Sequence, residues 1–249
     1  MIWTKEQIQN KISEVSWYHS FEILEGIMTP GLCYLKAGDV FDSLGLSKNL
    51  SGMHALDIGT WDGPYAFELE KRGAVVTALD IQDPSCTGFN IAKEILGSKV
   101  EYVRASVYEM DKIFNKKFDI VCFFGVFYHL KHPLLALENI NHILEDEGSL
   151  LIEGECLLNY AETLNGGFLK ENHLSENRWV LGILRRMPFV KRRVVSAKRV
   201  LRCLLPKHFI RQMAESRVPI TLCYPGIYKE ATNWFVPNLA CLQSWFQAT

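Results

Sequence analysis

Along the chain, short runs rich in β-branched and aromatic residues alternate with segments whose apolar positions recur every three or four residues. The apolar runs fall at His54–Ile58, Val75–Asp80, Val100–Ala105, Phe118–Phe124 and Ser149–Glu153, each bounded by Gly, Asp, Lys or Pro. Short, nearly continuous apolar runs closed by turn residues predict strands covered on both faces. Between them Pro64–Arg72, Gly88–Leu96 and Pro133–Leu144 carry a helical repeat, and Val107–Ile113 reads as a shorter turn. Pro133 suits a first helical position, where its missing N–H removes no helical bond. A further amphipathic helix, Thr4–Val15, starts at a Thr cap and leads into an aromatic loop, Trp17–Phe21, placed to cover a ligand site.

Strand alternating with helix predicts βαβ units and therefore a parallel sheet with helices on both faces, an α/β, Rossmann-like core. The expected division is a helical N-terminal cover over 1–48, the core over 49–158, a basic helical insertion after the fifth strand over 159–221, and a return to the core with a final helix over 222–249. The chain shows no internal repeat and no low-complexity tract.

Composition narrows the class without naming a function. Over 249 residues, 48% are hydrophobic and 22% charged, which excludes a disordered, collagen-like or coiled-coil chain. The longest apolar run, Ile120–Tyr128, is interrupted by Gly125 and falls well short of the roughly 18 residues of a membrane span. Met1–Asn10 lacks the apolar stretch of a signal peptide, so a cytoplasmic location is expected. The seven cysteines form an odd set without a C-x-x-C pair and are read as reduced thiols. His129 and His132 have no further ligand at a matching spacing, so no metal site is expected.

The formal net charge is only -1, but the charge is unevenly spread. Eleven basic residues and no acid lie between Arg178 and Arg211, interleaved with apolar positions and divided by Pro188 and Pro206. That pattern admits a solvated or packed helical face, peripheral contact with an anionic membrane surface, or a platform for nucleic acid. Placed after the fifth strand, the same charge would also draw an anionic small molecule or glycan.

The first core strand runs into Asp57-Ile58-Gly59-Thr60-Trp61-Asp62-Gly63, with glycines where backbone must turn sharply beside a ligand. The dinucleotide fingerprint G-x-G-x-x-G is incomplete, which argues against a pyrophosphate turn and NAD. Asp80 closes the second strand about 20 residues later, where a carboxylate accepts both hydroxyls of a ribose. Loop and carboxylate together indicate an adenosine-containing ligand. In an open α/β sheet it would lie across the carboxyl ends of the strands, which brings in Ile81, Ser106, Val107 and the Phe123–Tyr128 region.

Residues 50–155 resemble a class I S-adenosylmethionine (SAM) dependent methyltransferase. More narrowly, Phe118-Asp119-Ile120-Val121, the run Gly125-Val126-Phe127-Tyr128-His129-Leu130, Glu153 and Asn233-Trp234-Phe235-Val236-Pro237 resemble the tRNA wobble-uridine carboxymethyltransferase-like group. The resemblance implies the class I methyltransferase fold, SAM as cofactor and one-carbon transfer. The cofactor-binding set is then Asp57, Gly59, Thr60, Trp61, Gly63, Asp80, Ile81, Ser106, Val107, Phe124 and Tyr128. The aromatic faces of Trp61, Phe124 and Tyr128 would stabilise a sulfonium by about 0.5–2 kcal/mol through cation–π contact. His129 is the natural general base for a hydroxyl acceptor and Glu153 the second candidate.

Three departures qualify the resemblance. Trp61 stands where the general motif has glycine. Trp17–Phe21 matches a segment in which the tRNA enzyme uses a lysine to hold the extra carboxylate of carboxy-SAM, and no lysine is there, which favours ordinary SAM. The usual fold closes with a β-hairpin beyond the last helix, while four residues follow Trp245, leaving a truncated chain or an edge strand from Val218–Tyr224 as readings. The sequence thus points to methyl transfer onto an oxygen, and secondarily a nitrogen, of a small-molecule or glycan-like acceptor. A tRNA wobble-uridine modifying enzyme and a non-catalytic SAM-fold module are the alternatives.

Overall fold

The computed structural model describes residues 3–154, 221–223, 235–237 and 239–248. The basic segment 178–211 and the expected insertion, apart from its last residue, lie outside the described residues. The described chain falls into two compact units, one built from Met1–Phe124 with Glu138–Glu153, the other from Gly125–Leu137 with the described residues from Gly154 onward.

The first unit opens with helix α1 (Lys5–Ile12), begun by a reciprocal cap. The Thr4 hydroxyl accepts from Gln7 N–H at 3.2 Å and the Gln7 side chain accepts from Thr4 N–H at 2.9 Å. The helix is shorter than its apolar repeat suggests, because Ser13 already caps its C-terminal end. The expected helical cover then departs from expectation. Four short strands follow, β1 (His19–Ser20), β2 (Glu22–Leu24), β3 (Ile27–Met28) and β4 (Cys33–Tyr34), before helix α2 (Ala37–Ser43). Here β1 pairs parallel with β4 and β2 antiparallel with β3. The aromatic loop Trp17–Phe21 is part of this folded segment, with Trp17 and Phe21 buried.

The sheet that follows matches the expected order. It comprises β5 (His54–Ile58), β6 (Val75–Asp80), β7 (Glu101–Arg104), β8 (Phe118–Phe124) and β9 (Leu144–Glu153). Their spatial order is β7-β6-β5-β8-β9, every pair parallel. Helices α3 (Pro64–Lys71), α4 (Phe89–Leu96), α5 (Met110–Ile113) and α6 (Pro133–Ile143) connect them. Strand β9 starts five residues before the expected Ser149, in the polar run Leu144-Glu145-Asp146-Glu147-Gly148, which the period of apolar residues could not reveal. Its pairing with β8 shifts register between Phe118 and Ile120.

The core is shared between the N-terminal segment and the sheet. Ile8, Ile12, Trp17, Phe21 and Ile23 belong to the same buried cluster as Ala55, Leu69, Phe89 and Ile120. Arg72, the C-cap of α3, adds a buried polar anchor. Its guanidinium donates to Glu68 at 2.9 Å, to Asp42 at 2.8 Å, and to the carbonyls of Gly38, Leu46 and Ser47 at 3.0, 3.1 and 3.3 Å. These bonds lock α2 and the following turn against α3.

In the second unit, β10 (Thr221–Cys223) pairs antiparallel with β11 (Phe235–Pro237), and α7 (Leu239–Ala248) follows. The expected edge strand in Val218–Tyr224 therefore forms, but in a two-stranded sheet of its own and not on the edge of the parallel sheet.

Candidate active site

Strand order reverses around β5, and the loop leaving its carboxyl end is held in an unusual backbone path. Gly59 has φ +75° and donates its N–H to Leu79 O at 2.8 Å. Gly63, at φ +89°, must be glycine for a second reason: a Cβ there would lie 2.6 Å from the Phe67 ring and 2.8 Å from that of Phe89. Between them Trp61 takes φ +49°, the only such non-glycine among the described residues. This region disfavours an L side chain by about 1–2 kcal/mol. Two bonds from outside the loop hold it there. Asp80 Oδ2 accepts from Trp61 N–H at 2.9 Å, and the Thr87 hydroxyl donates to Trp61 O at 3.0 Å. The Trp61 ring, 39% exposed, meets Tyr18 edge-on at 6.1 Å.

Asp80 also accepts Gln82 N–H on Oδ1 at 3.0 Å, so each oxygen takes one backbone donor. A carboxylate offers about four lone-pair sites, which leaves capacity for a pair of ribose hydroxyls. Asp57 is different. It is buried, and neither its Oδ2 nor the Thr60 hydroxyl completes a hydrogen bond of regular geometry. Burial pushes the Asp57 carboxyl up to about 6, with Asp80 adding to the rise. The nearby Thr60 hydroxyl, His19 and Ala66 N–H oppose it only in part. A buried carboxylate beside a second one, each with unused acceptor capacity, suits a ligand that brings hydrogen-bond donors and positive charge.

The loop also carries a residue that the sequence reading passed over. Asp62 is fully buried, and its Oδ2 accepts Tyr18 N–H at 2.9 Å and His19 N–H at 2.8 Å, while Oδ1 pairs with His19 Nδ1. The N-terminal segment is thereby tied directly onto the glycine loop. Gly88 lets Trp17 approach on the other side, since a Cβ there would lie 2.2 Å from the indole. These partners are 43 and 44 residues apart in sequence, so spacing gave no signal for them.

The remaining expected site residues divide. Ile81 is exposed directly after Asp80. Ser106 caps the 3-10 turn Val107–Glu109 by accepting Tyr108 N–H at 3.2 Å, and buried Val107 accepts Asn139 Nδ2 on its carbonyl, so both have structural work there. Phe124, expected as an aromatic face for the cofactor, is a core residue: its ring packs on Tyr65 at 4.7 Å and Phe41 at 6.2 Å. Its main chain pairs in register with exposed Glu153 at the end of β9. Tyr128 and His129 belong to the second unit, on the 3-10 turn Phe127–His129, with their rings 4.3 Å apart. Gly154 passes so close that a Cβ would lie 2.5 Å from Phe127 and 2.8 Å from Tyr128.

Residues 56–152, from the glycine loop's own strand to the end of the sheet, match the methyltransferase domain family. Over those residues the chain is similar to methyltransferase domains. Two relatives are 29% identical to it: the tRNA U34 carboxymethyltransferase of Nautilia profundicola, over 49% of this chain and 44% of its own, and the ubiquinone biosynthesis O-methyltransferase of Rickettsia conorii, over 43% and 36%. The chain thus spans less than half the length of the curated relatives it matches. The crystal structure of the N-terminal domain of EvdMO1 with SAH bound shares the fold, with a TM-score of 0.51 at 21% identity over 61% of this chain and 65% of that one. In this matched region the strained loop, Asp57 and Asp80 share the carboxyl ends of β5 and β6, next to the point where strand order reverses. Among the described residues no helix is long and apolar enough to cross a membrane.

Proposed function

We propose that the methyltransferase domain binds SAM on Asp57, Gly59, Thr60, Trp61, Gly63, Asp80 and Ile81, and that the protein methylates an oxygen, with nitrogen second, of an anionic small-molecule or glycan-like acceptor. The observation that carries the cofactor reading is the pair Asp57 and Asp80, buried at adjacent strand ends with acceptor capacity unspent. When bound, SAM supplies an electrophilic methyl group on a cationic sulfur. Asp80 holds the ribose hydroxyls while keeping the loop in place through Trp61 N–H. Asp57 offers negative charge to the cationic end. Holding donor and nucleophile in near-attack geometry supplies most of the acceleration, with effective molarities of about 10⁵ M or more. His129 and Glu153 are the acid–base candidates for a hydroxyl acceptor. The basic run 178–211 supplies charge complementary to an anionic acceptor.

A second reading, tRNA wobble-uridine modification, is favoured by the relatives named tRNA U34 carboxymethyltransferase. Calorimetric titration with SAM, SAH and carboxy-SAM separates the two. SAM bound more tightly than carboxy-SAM supports ordinary methyl transfer; a preference for carboxy-SAM, with RNA affinity that falls steeply with salt, moves the assignment to tRNA. Because Asp57 is neutral below about pH 6, SAM affinity is expected to fall as pH drops through that value. Replacing His129 by Ala is expected to lower turnover about 10²-fold with SAM affinity kept. Unchanged turnover removes His129 from the chemistry.

A further inference from the structure

We propose that Asp62 and His19 form an acid–base dyad on the cofactor loop, with Asp62 as the positioning residue and His19 Nε2 as the proton acceptor for the group that receives the methyl. The proposal rests on the methyl-transfer reading above and names a proton acceptor in addition to His129.

Asp62 lies inside the glycine loop and is fully buried. Two backbone N–H groups, those of Tyr18 and His19, would suffice to dock the N-terminal segment. A third bond, between His19 Nδ1 and Asp62 Oδ1, goes beyond docking and fixes the imidazole itself. An ionised carboxylate only accepts, so the proton of neutral His19 sits on Nδ1 and Nε2 presents a lone pair. The His19 side chain keeps 15% of its surface exposed, so one edge remains reachable.

The backbone around His19 is held as firmly as the ring. The Thr29 hydroxyl donates to His19 O at 2.7 Å, and Cys33 N–H donates to Tyr18 O at 2.9 Å. Gly31 has no room for a side chain, since a Cβ would lie 2.1 Å from the His19 carbonyl carbon. The titratable groups around the imidazole are Asp62 from the loop, Asp57 from β5, Tyr65 from α3, Tyr18 beside it, and Cys33 opposite it in register on β4. Asp57 and Asp62 are negative when ionised, so both stabilise a proton on the ring once it is taken up. In the transfer step the acceptor hydroxyl gives its proton to Nε2. Its oxygen uses the electron pair to bond the methyl carbon, and the C–S bond pair stays with sulfur, which becomes a neutral thioether. The imidazolium formed is balanced by Asp62.

The test uses the whole chain labelled with ¹⁵N at histidine, read by long-range ¹H–¹⁵N correlation alongside calorimetry with SAM and SAH. The expected result is a His19 ring protonated on Nδ1, with an Nε2 resonance displaced by SAM and less by SAH. In Asp62→Asn the amide oxygen takes the two backbone donors and its NH₂ faces Nδ1, so the ring is expected to switch to the Nε2–H tautomer, circular dichroism confirming that the chain is folded. The wild-type tautomer and its response to SAM need no variant and decide the question if Asp62→Asn does not fold. A wild-type Nε2–H tautomer overturns the dyad, as does SAM uptake with Nε2 unmoved. A protein that takes up neither SAM nor SAH overturns the methyl-transfer reading, and the proposal with it.

Discussion

The two ends of α3 treat a buried charge in opposite ways. At the C-terminal end, Arg72 spends all of its guanidinium donors on two carboxylates and three carbonyls, and stacks over Phe41 at 5.4 Å. At the N-terminal end, Asp57 and Thr60 are as deeply buried, yet each keeps an oxygen without a regular hydrogen bond, and the adjacent Trp61 is held in a left-handed conformation. The first arrangement removes every reason for the helix end to move. The second stores unsatisfied acceptor capacity and backbone strain at one spot, which is tolerated where a ligand completes the site. One helix thus has a structural end and an open end, told apart by whether the buried polar groups there have partners.

The largest expected effect tests the structural end. Replacing Arg72 by Ala strands Glu68 and three part-buried carbonyls and is expected to destabilise the protein by about 3–5 kcal/mol in urea unfolding. A loss below about 1 kcal/mol would mean that the network is no more than a surface pair. The open end should respond with the opposite sign. Asp57 has its folded-state pKa raised from 3.8 to about 6, so the folded chain holds a proton that the unfolded chain releases, and stability falls as pH rises across that window. At about 1.4 kcal/mol per pH unit, ionised Asp57 disfavours the ligand-free fold by about 3 kcal/mol at neutral pH. Asp57→Asn is therefore expected to stabilise the free protein near neutrality, with the gain gone below pH 3.8, while weakening SAM binding. A stability change of equal size at both pH extremes would contradict this account.

Asp80→Ala comes next. It removes the acceptor for Trp61 N–H and the ribose, and SAM affinity is expected to fall by about 1–3 kcal/mol in calorimetry. Unchanged affinity would take Asp80 out of the site. The smallest effect is expected from Thr60→Val, which keeps the shape and deletes a hydroxyl that favours the ionised form of Asp57. Thermal unfolding of the free protein near neutral pH should show a loss of about 1 kcal/mol or less. A clear gain would show that the hydroxyl gives Asp57 no support in solution.

How much of this was legible differs between the same regions. Strands β5, β6 and β8 end where the apolar runs end, because a strand buried on both faces reads as a nearly continuous apolar run, with Asp57 and Asp119 as acids within them. Strand β9 was read only in its second half, since Leu144–Gly148 is largely exposed and carries acids at most of its positions. Strands β1 to β4 are two or three residues long, too short for any period to register. The glycine turn after β5 and Asp80 at the end of β6 were readable because spacing within one βαβ unit is local. The packing of Phe124 on Tyr65 and Phe41 was not legible, because nothing in its sequence neighbours reveals that those rings meet it.

The sequence by itself determined the order of the core strands and helices, the parallel sheet, the glycine loop and the acid at the end of the second core strand. All of these follow from hydrophobic period and from turn chemistry within about 30 residues, where local propensity and burial agree. Only the tertiary structure decided which polar residues are satisfied and which are left open. Arg72 and Asp62 look like ordinary surface charges in the chain, and they become a bolt and a clamp through partners up to 34 and 44 residues away. Asp57 takes its raised pKa from burial, and burial is a property of everything packed around a residue rather than of its neighbours in sequence.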